Sequence, residues 1–328
     1  MYLNNETPFC VQLTPQFNED GIETLFAVVK ASFRISHLGV LSEQVALQTE
    51  DIYWGKKGKS SLKFPVDFHI GKAGTDIGVV GDAWAPDGHP CRQMDVSLSV
   101  GEVHKTLRIF GNRVWKGLRP SEPELFHRIP LRYENAYGGS VLLKNEDYCI
   151  SPKNPIGKGL WHKDARDDIN GVALPNIEDP QNLIYSPENK PDPVGFGFLA
   201  PYAHPRNQYA GTYDDTWKSL KAPYLPDDFN KRFNNSAHPD LITRKFLIGG
   251  EKVELTNMHA DGNIRFSLPK KTFLVQVASV HGKQEMLNAS LDTVIIEPNE
   301  LRLQMIWRAE YCGVRNITHI KRIDVLKH

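Results

Sequence analysis

Proline is the residue that most limits what this chain can become. Twelve of its 22 prolines fall between Ser151 and Asp240, among frequent Gly, Asn and Asp. Each proline removes a ladder donor and fixes φ, so regular strands cannot run through this stretch. Yet the same stretch is rich in Trp, Tyr, Phe and Leu, which a solvated linker lacks. It reads as an ordered, irregular segment laid across a scaffold, and long ordered loops of this kind are commonly functional.

The flanks supply the scaffold. "ETLFAVVKASFRI" (23–35) is β-branched and aromatic, and "MDVSLSV" (94–100) alternates Met94, Val96, Leu98 and Val100 with Asp95, Ser97 and Ser99. With "VHKTLRIFG" after Gly101-Glu102, residues 94–110 predict a hairpin with one face in the core. "DIGVVGDAWA" (76–85) predicts a further strand, with Gly78 and Gly81 marking bulges or a close backbone approach. Beyond residue 245, "KFLIGGEKVELTN" predicts a hairpin around Gly249-Gly250. "DTVIIEPNELRLQMIWRAEY" predicts another around Pro298-Asn299-Glu300, where Arg302, Gln304, Ile306 and Arg308 make one face mostly polar. The expected fold is therefore mainly β: an antiparallel, sandwich-like scaffold with a long Pro/Gly-rich irregular central segment and a few short helices. It is expected to be one unit over 1–328, with N-terminal strands in 1–135, the irregular segment in 136–244 and C-terminal strands in 245–328.

Charge excludes some functions. Lys+Arg and Asp+Glu number 39 each, without the basic excess of a nucleic-acid binder. The groups Lys56, Lys57, Lys59, Lys63 and Arg315, Lys321, Arg322, Lys327 read as solvated surface. Cys10, Cys91, Cys149 and Cys312 are widely spaced, which suits buried free thiols better than a zinc site or a disulfide framework. The start, "MYLNNETPFCVQL", lacks the pattern of a signal peptide. No apolar run approaches the ~18 residues of a membrane helix. A cytoplasmic protein with no membrane, nucleic-acid, metal or cofactor partner is expected.

Catalytic signatures are missing from the sequence. "GFGFLA" (195–200) fits Gly-x-Gly-x-x-Ala, but "PDPV" before it and "PYAHP" after it deny the strand and helix that a dinucleotide site requires. His204, His238 and His259 stand near Asp214, Asp215, Asp240 and Asp261 in sequence without a spacing that demands a site. In "GTYDDTWKSLKAPYLPDDFNKRF" (211–233), the two acid pairs read as helix caps. Asp214 or Asp215 precedes "TWKSLK", suited to accepting first-turn N–H groups. Pro226 suits the first position of a second helix, with Asp227 and Asp228 in its first turn, Phe229 and Phe233 an apolar i, i+4 pair, and Asp228 with Arg232 an ion pair.

"PVGFGFLAPYAHPRNQYAGTYDDTW…PYLPDDFNKRFNNSAHPD" resembles the signature of a bacterial family first catalogued as a domain of unknown function, number 2169. "TDIGVVGDAWAPDGHP", "LRIFGNRVW", "PLRYENAYGG", "NPIGKGL", "LPNIEDP" and "IGGEKVELTNMHADGNIRFSLP" match in order, so the resemblance runs from about residue 75 to 269. Members accompany type VI secretion systems. The resemblance implies a non-catalytic adaptor or chaperone that binds an effector, often through a PAAR-like domain, and helps load it onto the trimeric spike protein. It carries over no catalytic residue. Aromatic and Arg side chains dominate protein interfaces, which makes Trp161, Tyr202, Arg206, Tyr209, Tyr213, Trp217 and Tyr224 the candidates for partner binding. Two alternatives stand beside this reading. One is a hydrolase, requiring Asp214 or Asp215, Asp228 and His238 to converge in a cleft. The other is a permanent structural component of the secretion apparatus.

Overall fold

Five consecutive alternations in Glu23–Arg34 send Leu25, Ala27, Val29, Ala31 and Phe33 to one face, and this strand organises the molecule. The computed structural model describes residues 1–36, 39–312 and 317–327. It is mainly β. A central sheet runs in the order Cys10–Phe17, Glu23–Arg34, Arg302–Tyr311, Ser290–Glu297 and Asp76–Val79, with Gly39–Val40 paired to Glu23–Arg34 at one end. Register aligns Phe33 with Leu303, Ala31 with Met305 and Val29 with Trp307, so the apolar rows of neighbouring strands coincide. A slip of one residue would turn both rows away from the core.

Two further sheets meet that apolar face. One orders Ile177–Glu178, Val103–Phe110, Gln93–Val100, Lys252–Thr256 and Ile264–Ser267. The other orders Tyr2–Asn5, Ile320–Lys327, Phe273–Ser279 and Gln284–Asn288. Met94, Val96, Leu98, Val100, Phe273, Val275, Val294 and Trp307 belong to one continuous core, with Phe273 edge-on to Trp307 at 4.9 Å. The hairpins expected at 94–110 and 292–311 form, the second through a short 3-10 turn at Pro298–Glu300. Three strand pairings depart from the antiparallel expectation, one of them the short pair Tyr137–Gly138 with Lys158–Gly159. Tyr2–Asn5 runs parallel to Ile320–Lys327, and Asp76–Val79 runs parallel to Ser290–Glu297. Strands from the first and last thirds of the chain thus share sheets.

The hairpin expected at Gly249-Gly250 does not form. Leu247 bridges to Leu291, whereas Lys252–Thr256 pairs with Gln93–Val100 in another sheet. Gly249 and Gly250, at φ +88° and +90°, carry the chain between the two sheets instead. Gly78 and Gly81 mark close approach: a Cβ on Gly78 would lie 2.2 Å from Cζ of Phe198, and one on Gly81 2.7 Å from Pro298.

The second face of the central sheet is covered by the irregular segment. Val28, Ile295 and Ile306 pack with Leu62, Phe198 and Ala200. Among them lies a buried polar network. Lys30 Nζ donates to Asp67 at 2.9 Å, and Arg308 donates to Asp292 at 2.9 Å and to the Asp67 carbonyl at 2.6 Å. Lys72 Nζ donates to Asp76 at 2.8 Å and to Thr293 Oγ1 at 2.6 Å. Asp76 also accepts from Asn235 Nδ2 and from the Ser236 N–H, each at 2.8 Å, tying the irregular segment to the sheet. The polar face of "LRLQMIWR" is therefore a buried one, with Gln304 1% and Arg308 6% exposed. Buried charges persist only when paired and hydrogen-bonded in this way.

The surface groups divide. Lys56, Lys57 and Lys59 are exposed, but Lys63 holds its ammonium 4.6 Å above the Trp54 ring. Arg315 lies outside the described residues. All four cysteines are free, and Cys312 is exposed, contrary to the expectation of buried thiols; Cys10, Cys91 and Cys149 are half-buried.

Candidate functional site

The acid-rich stretch at 211–233 folds into a compact set of turns against the free edge of the central sheet. Asp214 Oδ1 accepts the Trp217 N–H at 2.8 Å and caps the helix Asp215–Leu220, of which Asp215 is the first residue. The Trp217 indole N–H donates to the Tyr224 carbonyl at 2.9 Å, so the helix and the following loop are latched together. Tyr213 stands edge-on to Trp217 at 4.7 Å, and Tyr224 stands edge-on to Phe17 of the edge strand at 5.0 Å.

The second acid pair does not cap a helix. Residues 226–230 form no helix and turn only at Asp227-Asp228, and the 3-10 turn Lys231–Asn234 is capped by Asn230, whose Oδ1 accepts the Arg232 N–H. Asp228 instead accepts from the Thr212 N–H at 2.9 Å and from Thr212 Oγ1 at 2.7 Å. These two bonds hold its carboxyl below the usual range. Asp227 forms an exposed ion pair with Lys221. The physical reason for the difference is the competing acceptor role: the chain turns at Gly211, φ +84°, and the nearest carboxylate satisfies its free N–H. Phe229 and Phe233 do meet, at 6.1 Å, while Arg232 lies over the Tyr209 ring at 5.8 Å rather than against Asp228.

Together these turns enclose a groove of about 510 Å³. It is lined by Gln16 and Phe17 of the edge strand, by Asp51, Phe68 and Ile70, and by Tyr213, Tyr224, Leu225, Phe229 and Phe233. Tyr213 is 52% and Tyr224 38% exposed. Burial and the nearby Asp228 charge push the Tyr213 phenol above its ordinary pKa.

Arg206, expected among the contact residues, is 6% exposed. Its Nε donates to the Phe233 carbonyl and its Nη1 to the Leu199 carbonyl, both at 2.7 Å. Burial lowers its pKa, against the opposing influence of Asp51 and Asp76. It is a pin that holds the groove's wall as well as a cation at its base. Tyr202 is surface-exposed but outside the groove. Trp161 belongs to a separate cluster with Trp115, Tyr137, Ile169, Leu174 and Ile184, and its indole N–H donates to the Arg166 carbonyl at 3.1 Å. Of the seven expected contact residues, Arg206, Tyr213 and Tyr224 line the groove, and Trp217 braces it from behind.

Phe17, Gln16 and Phe68 were not legible as site residues. One signal for the first two was available: "CVQLTPQF" alternates and carries Pro15, a mark of an edge strand.

The groups that a hydrolase would need are dispersed among other partners. Asp214 is bound to Trp217 and Asp228 to Thr212. His238 lies 3.4 Å from Asp240, which also accepts from Lys105 at 2.6 Å. Burial and the Lys105 charge bring His238 down to about 4, so it is neutral at pH 7. His259 lies 3.7 Å from Asp261. Among the described residues, no group of three or more His, Cys, Asp or Glu side chains could hold a metal ion.

The family described as an uncharacterized protein conserved in bacteria (DUF2169) matches residues 20–308, which include every residue lining the groove except Phe17 and Gln16. The chain belongs to that family. No curated protein and no solved structure matches it. For this DUF2169 member, no helix among the described residues is long and apolar enough to cross a membrane.

Proposed function

We propose that this DUF2169 protein is a non-catalytic adaptor or chaperone of type VI secretion. It binds a cytoplasmic effector through the effector's PAAR-like domain and helps load it onto the trimeric spike protein. The single observation that carries the reading is the aromatic groove beside the free edge of the central sheet. Partly exposed Tyr and Phe rings held rigidly by Asp214, Asp228 and Trp217 offer large contact area at low ordering cost. The ordered resemblance of the motifs from about residue 75 to 269 supplies the biological setting.

The test is co-expression of the full chain with the effector encoded beside it and, separately, with the spike protein. A stable complex that survives size-exclusion chromatography is the expected result, weakened by Tyr224→Ala or Phe17→Ala. If neither protein binds or gains solubility, the reading fails. Stoichiometric retention in purified sheath or spike particles would instead identify a permanent component of the apparatus.

A further inference from the structure

Arg206 lines both the aromatic groove and a second cavity of about 350 Å³. Three arginines line this second cavity, Arg206, Arg232 and Arg244, and no acidic residue does. Among the described residues, none of the three takes part in an ion pair. Arg206 is 94% buried by its 6% exposure, and its Nε and Nη1 are taken by backbone carbonyls. Its Nη2 has no acceptor among the described residues. The two carboxylates that act on it from a distance are bound elsewhere, Asp51 by the Val66 N–H and Asp76 by Lys72, Asn235 and Ser236.

Every other buried cation described above sits beside a carboxylate: Lys30 with Asp67, Lys72 with Asp76, Arg308 with Asp292. A buried guanidinium with no carboxylate in hydrogen-bond reach, flanked by the solvent-exposed Arg232 and Arg244, gives the cavity a positively charged lining. The remaining walls include Leu199, Ile242 and the Tyr209 ring, over which Arg232 is held at 5.8 Å.

We propose that this cavity binds a carboxylate carried on an apolar or aromatic stem, the acidic side chain or the chain terminus of a peptide. The guanidinium fork matches a carboxylate in plane and spacing. The apolar walls take the stem, and the volume is at the lower end of what a small ligand group fills. Phosphate suits the same guanidinium fork, but it has no stem to fill the apolar part of the wall formed by Leu199 and Ile242. This assignment stands apart from the adaptor reading, because it holds whichever protein supplies the carboxylate.

The experiment is calorimetric or NMR titration of the full chain with four peptides and inorganic phosphate. Acetyl-Ala-Phe with a free C-terminus is compared with its amide, and acetyl-Ala-Glu-Phe-amide with the Gln analogue. At least one acid binds about tenfold more tightly than its neutral counterpart. Which acid does so tells chain terminus from side chain. Arg232→Gln and Arg244→Gln, at sites that pin no backbone carbonyl, each weaken that binding severalfold, and added NaCl weakens it further. Because Arg206→Gln removes two backbone bonds, it is read only where its unfolding midpoint is unchanged. Equal binding of acid and neutral peptide, indifference to both arginine substitutions, no binding at millimolar peptide, or arginine-dependent binding of phosphate alone would each overturn the proposal.

Discussion

The indole N–H of Trp217 donates to the carbonyl of Tyr224 across 2.9 Å, and this one bond joins the capped helix to the loop that carries the groove's exposed ring. Trp217→Phe keeps the ring contact with Tyr213 and removes the donor. Partner binding should fall by several fold while the far-UV spectrum stays unchanged. Trp217→Ala removes both and should cost about 2 kcal/mol of binding, measured by titration against the co-purified partner. Equal affinities for wild type and both variants would remove the groove from consideration.

The two acid pairs should separate by stability. Asp214→Ala loses a helix cap and should cost about 1 kcal/mol in urea unfolding. Asp228→Ala frees two exposed Thr212 donors, which water can satisfy, and should destabilise less than Asp214→Ala. Asp227→Ala removes only an exposed ion pair and should shift the curve by less than about 0.5 kcal/mol.

Gly78→Ala would place a methyl group 2.2 Å from the Phe198 ring. The expected cost is roughly 1–3 kcal/mol or more, because both groups are fixed in a packed layer. Phe198→Leu in the same chain should recover part of that loss. A double-mutant cycle with no coupling would show that the contact is not the cause.

Lys30→Met leaves Asp67 buried with only the Gln48 N–H, at 2.8 Å, on its bonded oxygen. About 3–5 kcal/mol should be lost. The double variant Lys30→Met/Asp67→Leu should be markedly more stable than the single one. Denaturant midpoints of the two variants decide the matter.

His238 should titrate far below an ordinary histidine. Burial and Lys105 favour the neutral ring, outweighing Asp240 and the Pro193 carbonyl, and place it at about 4. The unfolded chain, with an ordinary imidazole near 6.5, takes the proton first as pH falls. The stability that His238 contributes is therefore complete above pH 6.5 and is lost between there and about pH 4. The ring's NMR shifts should stay those of the neutral form at pH 5.5. Protonation with a midpoint near 6.5 would contradict this.

Local turns were legible in the sequence, and distant partners were not. The hairpins at 94–110 and 292–311 could be read because alternation and turn residues lie within one window. The parallel pairing of Asp76–Val79 with Ser290–Glu297 joins residues more than 200 positions apart and leaves no local mark. Arg302, Gln304 and Arg308 read as a polar face because they are polar; that the face is buried depends on Asp67, His69 and Asp292 meeting Arg308 and on Glu297 meeting Arg302 and Gln304. At the site, the capping role of Asp214 follows from its place before "TWKSLK". The role of Asp228 depends on Thr212, a residue sixteen positions back across a turn.

The strand Arg302–Tyr311 lies between Glu23–Arg34 and Ser290–Glu297, with Arg302 opposite Arg34. During synthesis, the third strand made waits for one of the last. At about 5–20 residues per second, that interval is on the order of 15–50 s. Throughout it, the apolar row from Leu25 to Phe33 has no neighbour on that side. The nascent chain thus carries an unpaired strand edge, open to wrong pairing, for most of its synthesis.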